Sequence, residues 1–145
     1  MKQEKSKISV LMSVYKKENP EYLRASLESI LVQTRTADEI LLIEDGPLTQ
    51  ELYQVVAEYQ KKCDYLHVHA MEQNVQLGRA LAKGVELCQY DLIARMDTDD
   101  IAMPHRLEKE GAYMEAHPEV DVVGGAIREF NDEGTIDRVK NMPKT

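Results

Sequence analysis

The sequence predicts an α/β domain whose sheet is mostly parallel, with helices on both faces. Three features lead there. Short apolar runs alternate with stretches of helical periodicity, turn residues separate them with little slack, and the runs are near-continuous in hydrophobicity. A strand covered on both faces has no side left for polar residues, and strands alternating with helices imply βαβ units with right-handed crossovers.

Residues 8–14, Ile8-Ser9-Val10-Leu11-Met12-Ser13-Val14, form the first predicted strand. Asn19-Pro20 then pairs a helix N-cap with a proline at the first helical position, and Leu23, Leu27, Ile30 and Leu31 follow at helical spacing. The second strand is Ile40-Leu41-Leu42-Ile43, cut off by the turn sequence Glu44-Asp45-Gly46-Pro47. Leu52, Val55, Val56 and Tyr59 mark a second helix, and Tyr65-Leu66-His67-Val68-His69 a shorter third strand. After the turn Asn74-Val75-Gln76-Leu77-Gly78, a third helix is predicted over 79–88. The fourth strand is 91–96, ended by Asp97-Thr98-Asp99-Asp100. Pro104 is expected to open a fourth helix that reaches about His117 and stops at Pro118. A fifth strand is expected over 120–127, and the polar tail from about Asn131 is expected to end without a capped element. The fold is expected to be incomplete at the C-terminus, since no helix covers that last strand.

The 145 residues suffice for one full core but not for two ordinary domains. An apolar share of 43% and a charged share of 30% are those of a globular chain rather than a disordered one. No stretch approaches the ~20 consecutive apolar residues that span a bilayer, so no membrane span is expected. Met1-Lys2-Gln3-Glu4-Lys5 leads into no signal core, which makes the cytoplasm the expected location. Cys63 and Cys88 have neither the Cys-x-x-Cys spacing nor histidines at zinc spacing, and read as small hydrophobes. A net charge of −8 with no basic stripe argues against nucleic acid as a partner. An acidic chain still accommodates a phosphorylated ligand when a divalent cation screens the repulsion.

In an open parallel sheet, ligands bind in the crevice beyond the carboxyl ends of the strands. The first strand brings Ser13 and Tyr15 there, and the second brings Glu44 and Asp45. The third leads to Asn74, Gly78 and Arg79, and the fourth to Asp97, Asp99 and Asp100. Five carboxylates at one edge repel one another unless something positive lies among them, and a divalent metal is the simplest occupant. Asp97 and Asp99, two residues apart at a strand end, can point into one cleft, and oxygen-only ligands suit Mg²⁺ or Mn²⁺. Aspartates there could equally cap the following helix. Glu44 or Asp45 could accept from a base N–H or a ribose hydroxyl, or lie in a solvated turn. Tyr15 could stack on a nucleobase or pack at the sheet's rim. Arg79 and Lys83 share a helical face near a helix start, where either could meet a diphosphate or solvent alone. His67 and His69 read as a packed or exposed edge pair, and His105 and His117 as capping or surface residues.

With these segments assembled, the chain resembles the family-2 glycosyltransferases. The matching stretches are Ile8 to Tyr15, Ser26-Leu27-Glu28-Ser29-Ile30-Leu31-Val32-Gln33-Thr34, Glu39 to Gly46, Asn74-Val75-Gln76-Leu77-Gly78-Arg79-Ala80-Leu81, and Ala94 to Asp100. The resemblance implies the GT-A fold, a Rossmann-like arrangement, and transfer of a sugar from a nucleoside-diphosphate sugar to a saccharide or lipid-linked acceptor. It further implies that Ser13 and Tyr15 line the nucleoside pocket, that Glu44 or Asp45 contacts the base, and that Asp97 approaches ribose and metal. Asp99 would coordinate the Mg²⁺ or Mn²⁺ on the diphosphate, and inversion at the anomeric centre is the usual outcome. Three departures bear on nucleotide identity: Glu44 where the family commonly has Asp, Pro47 in place of Ser, and Ala82 in place of Asn.

The family's catalytic base and acceptor elements follow the fifth strand. The resemblance therefore implies that 1–145 is the nucleotide-sugar-binding part of a catalytic domain, with the base beyond Thr145. Attachment at the inner membrane face would come through segments outside this chain. Two other readings use similar parts. A sugar-1-phosphate nucleotidyltransferase would want a glycine-rich loop after the first strand, where this chain has Tyr15-Lys16-Lys17-Glu18-Asn19-Pro20. A non-enzymatic α/β signalling domain would carry its acidic residues after the first and third strands, not the second and fourth.

Overall fold

The computed structural model describes residues 6–125, 127–129 and 138–140. Its main sheet is formed by β1 (Ile8–Val14), β2 (Glu39–Glu44), β3 (Leu66–Ala70) and β4 (Leu92–Arg95), in the order β3-β2-β1-β4, with every pair parallel. Between them run α1 (Pro20–Leu31), α2 (Gln50–Lys62) and α3 (Leu77–Leu87), and α4 (Arg106–Ala116) follows β4. No helix among the described residues is long and apolar enough to cross a membrane.

The strand pleat sorts the core into two layers. Val10, Met12 and Val14 of β1 and Ile40 and Leu42 of β2 face Leu23, Leu27 and Ile30 of α1 and Leu52, Val55 and Val56 of α2. Leu11, Leu41 and Ile43 point the other way, against Ala80 of α3. Gly84 lets α3 come close on that side, since a Cβ there would lie 2.3 Å from Leu11 Cδ1. Helices therefore cover both faces, as expected for strands with no polar side. Asn19 caps α1 by accepting from the backbone N–H of Glu21 at 2.8 Å, with Pro20 opening the helix. From β1 the chain steps outward through β2 to β3 and then crosses back to β4. That reversal leaves a crevice at the carboxyl end of β1.

The C-terminal expectations need correction. Pro104 does not open α4: it lies in a turn whose carbonyl accepts from Thr34 N–H at 2.9 Å, and the helix begins two residues later at Arg106. Residues 120–125 form no strand, and Val122 is 85% exposed. Apolar content without a ladder partner or a covering layer does not make a strand, and Gly124-Gly125 weakens it further. Residue 126, inside the predicted strand, lies outside the described residues. The tail carries regular structure instead: β5 (Ile127–Glu129) pairs antiparallel with β6 (Arg138–Lys140) in a separate two-stranded sheet.

Candidate functional site

The crevice at the end of β1 is a cavity of about 480 Å³. Of the residues singled out from the sequence, Ser13, Tyr15, Asp45, Asn74, Asp97 and Asp99 line it, together with Lys17, Glu18, Gln76, Leu77 and Thr98. Glu44, Gly78, Arg79 and Asp100 do not. The pleat turns Glu44 with Ile40 and Leu42 toward α1 and α2, where it is 7% exposed and burial raises its carboxyl pKa. Asp45, the next residue, leans over the opposite face and enters the cavity wall. Arg79 is exposed on α3, and Lys83 pairs with Glu86 at 3.6 Å. The cation in the lining is Lys17.

Asp45 organises the β2–β3 end of the cavity. Its Oδ1 accepts from Val75 N–H at 2.7 Å and its carbonyl from Asn74 Nδ2 at 3.3 Å. Asn74 Oδ1 in turn accepts from Gln76 N–H at 3.2 Å. Gly46, at φ +86°, presses against this loop: a Cβ there would sit 2.6 Å from the Asn74 nitrogen. The Tyr15 ring, 46% exposed, stands between this end and the acidic one, because β1 lies between β2 and β4.

Asp97 and Asp99 line the other end with Asp100 beside them, outside the lining, and each of the three has a carboxylate oxygen within 4.8 Å of the others. Asp97 also meets Arg95 at 3.4 Å. Asp100 is exposed as a residue, yet crowding of its carboxyl among its neighbours raises its pKa, and the charges of Asp99 and Asp97 add to the shift. Three oxygen donors with mutually repelling charges fit a hard divalent cation, which would relieve the repulsion and leave room for water or phosphate ligands. Thr98, between the two cavity aspartates, points inward. Its hydroxyl donates to Glu18 and lies 3.4 Å from the Ser13 carbonyl. Glu18 also accepts from Asn19 N–H at 3.0 Å, so the loop carrying Tyr15 and Lys17 is tied to the acidic loop.

The acidic loop is also held from behind by α1 and the segment just after it. Ser26 Oγ donates to the Asp97 carbonyl at 3.1 Å, and Ser29 Oγ accepts from Ala102 N–H at 3.0 Å. Gln33 works with both ends of its amide: Nε2 donates to the Met103 carbonyl at 2.7 Å, and Oε1 accepts from Leu107 N–H at 3.0 Å. All three side chains are buried. Reading the sequence for ligand-type residues alone passed over them, as it did Lys17, Glu18, Gln76, Leu77 and Thr98. A signal was present for this set: Ser26 and Ser29 lie among Leu23, Leu27 and Ile30 of α1, and Gln33 continues their spacing just past its end, where polar groups are unexpected unless they have partners.

A family model described as "Glycosyl transferase family 2" matches residues 9–145. The chain is 48% identical over 138 residues to a protein of Haemophilus influenzae named "Uncharacterized glycosyltransferase", covering 94% of this chain and 51% of that one. It is 46% identical over 135 residues to the amylovoran biosynthesis glycosyltransferase AmsE of Erwinia amylovora, covering 93% and 50%. It is 34% identical over 145 residues to a UDP-Gal:alpha-D-GlcNAc-diphosphoundecaprenol beta-1,3-galactosyltransferase of Escherichia coli, covering 96% and 52%. The chain thus spans about half the length of these curated relatives. Among solved structures, S. aureus TarS 1-349 in complex with UDP-GlcNAc superposes with a TM-score of 0.68 at 23% identity, over 77% of this chain and 32% of that one. The mannosyltransferase PcManGT from Pyrobaculum calidifontis, in complex with GDP-Man and Mn²⁺, gives 0.65 at 16% identity, over 85% and 35%. At these identities the structures speak to the fold alone.

Proposed function

The chain belongs to glycosyl transferase family 2 and has the GT-A fold, and from that premise we propose that it forms the donor-binding side of a sugar-transferring enzyme. The donor is a nucleoside-diphosphate sugar, and the acceptor is a hydroxyl of a saccharide or a lipid-linked saccharide. Transfer inverts the anomeric centre. One observation carries this reading: a single cavity joins Asp45 at one end to Asp97 and Asp99 at the other, with the exposed Tyr15 ring between them. That separation suits a base at one end and a diphosphate at the other. Membership of the family leaves no role for the nucleotidyltransferase and signalling readings.

On this reading the Tyr15 ring stacks on the base, and the Asp45 carboxylate accepts from a base N–H with the oxygen not used by Val75. Ser13 and Asn74 offer hydrogen bonds along the nucleoside. Asp97 and Asp99 hold Mg²⁺ or Mn²⁺, with Asp100 beside them. When bound, the cation neutralises charge developing on the leaving diphosphate. Lys17 adds a second positive group in the lining, where the sequence offered Arg79 as a candidate for the diphosphate. No residue of the cavity is assigned as the base that deprotonates the acceptor.

The names of two relatives support the substrate class, one including UDP-Gal and a diphosphoundecaprenol acceptor, the other amylovoran biosynthesis. A lipid-linked acceptor would put the enzyme on the cytoplasmic side, peripheral to the inner membrane. Calorimetry with UDP, GDP and dTDP, each with and without Mn²⁺, tests the proposal. Binding should need the metal, and Asp99→Ala should weaken it at least about 100-fold. Metal-independent binding, or an unaffected Asp99→Ala chain, would reject the reading.

A further inference from the structure

Gln76 is the one non-glycine residue at positive φ among the described residues, with φ +72° and ψ 161°. That backbone region is essentially reserved for glycine, because a Cβ there crowds the neighbouring carbonyl. The conformation is imposed from outside. Asp45 clamps the Val75 N–H, Asn74 accepts from the Gln76 N–H, and Gly46 packs against the Asn74 backbone. Glycine would meet the same constraints without strain, so a side chain at position 76 is a liability for stability. The same side chain lines the cavity, and it makes no hydrogen bond within the described residues. Its amide thus presents two free donors and one free acceptor to whatever the cavity holds.

Where the amide meets a ligand follows from sheet order. Neighbouring strands lie about 4.8 Å apart, so the Asp45–Gln76 end, over β2, stands roughly 10 Å from the loop after β4. A diphosphate held by metal at Asp97 and Asp99 leaves the nucleobase at the Gln76 end. We infer that Gln76 is a specificity-determining residue whose carboxamide hydrogen-bonds the nucleobase of the donor, beside the N–H taken by Asp45. The inference rests on the nucleotide-sugar reading of the cavity. It adds to that reading the residue that reads the base, and a reason for a strained backbone at that point.

The test uses the full 145-residue chain, with Mn²⁺-UDP and Mn²⁺ with inorganic diphosphate as calorimetric probes and a thermal melt alongside. Gln76→Gly releases the strain and removes the amide. Its Tm should rise by roughly 3–5 °C, while UDP binds roughly three- to tenfold more weakly and inorganic diphosphate binds as before. Gln76→Ala removes the amide but keeps the strained Cβ, so it should lose the same UDP affinity without the gain in Tm. UDP affinity unchanged in both variants would overturn the inference, as would an equal loss for inorganic diphosphate, which has no base to contact. Wild-type chain that binds neither probe would instead remove the underlying reading of the cavity, and this assignment with it.

Discussion

β1 and β2 are buried along nearly their whole length, whereas β4 is half-exposed and runs into a stretch, 96–105, without regular secondary structure. The first pair is the floor on which the loops of the cavity stand, with Ser13 its one residue in the lining, and the second region carries Asp97 and Asp99. The floor is held by apolar packing on two faces, with Leu42 and Ile43 fully buried. The acidic wall is held by hydrogen bonds from Ser26, Ser29 and Gln33, and by the Thr98–Glu18 contact. Apolar packing is non-directional and fixes where an element lies. Hydrogen bonds are directional and fix how a loop is oriented. A wall that must aim several like charges at one point needs the second kind.

That contrast can be broken at either side. The largest effect is expected for Leu42→Ala, which removes a fully buried side chain from the floor. It should cost about 2–5 kcal/mol in urea denaturation, and the fraction that remains folded should keep its Mn²⁺-dependent UDP affinity. A smaller loss, about 1–3 kcal/mol, is expected for Gln33→Ala, which strands the Leu107 N–H and leaves the Met103 carbonyl with its Arg106 N–H alone. Here, however, Mn²⁺-dependent UDP binding should fall as well, because the loop behind Asp99 loses a tether. Intact binding in that variant would mean that Gln33 supports the fold and not the aim of the carboxylates.

The smallest effect sharpens the comparison from outside the cavity. Tyr59 on α2 is buried and donates to Glu28 of α1 at 2.8 Å. Burial first, and then that hydrogen bond, push its pKa up to about 12. The unfolded phenol ionises near its ordinary value of about 10, so the native state favours the proton and this contribution is complete below pH 10. It is lost as pH rises through the interval toward about 12. Tyr65, also raised to about 12 by burial, adds to the same slope. Tyr59→Phe should therefore flatten the fall in Tm between pH 10 and about 12 only in part, as followed by thermal melts, with UDP affinity at neutral pH unchanged. A changed affinity would show that α1 transmits to the acidic wall through Glu28 as well as through Gln33.

Much of this architecture was legible in the residues. β1 matches its predicted bounds, and Asn19-Pro20 starts α1 where capping chemistry says it should. The other three strands of the main sheet and α3 fall within two residues of their predicted ends, and the apolar positions that mark α1 and α2 lie inside those helices. Those features are local, because apolar period and caps are properties of neighbouring residues along the chain. Six of the ten residues placed at this edge line one cavity for a similar reason: each lies near or beyond the end of a strand, and parallel strands deliver their carboxyl ends to one edge.

Tertiary structure decided the rest. Glu44 and Asp45 are adjacent and chemically alike, yet the pleat sends one toward α1 and α2 and the other into the cavity. Which of the two is which depends on the end of β2 and not on composition. Gln33 looks like a surface residue until its partners 70 and 74 positions away are in place. Residues 120–125 have the apolar content of a strand but no ladder partner among the described residues, and so they form none. The amino-acid order by itself determined the elements and the edge where polar groups gather, because those follow from short-range periodicity. Only folding decided which side chains share a space, because that depends on pairings between residues far apart in the chain.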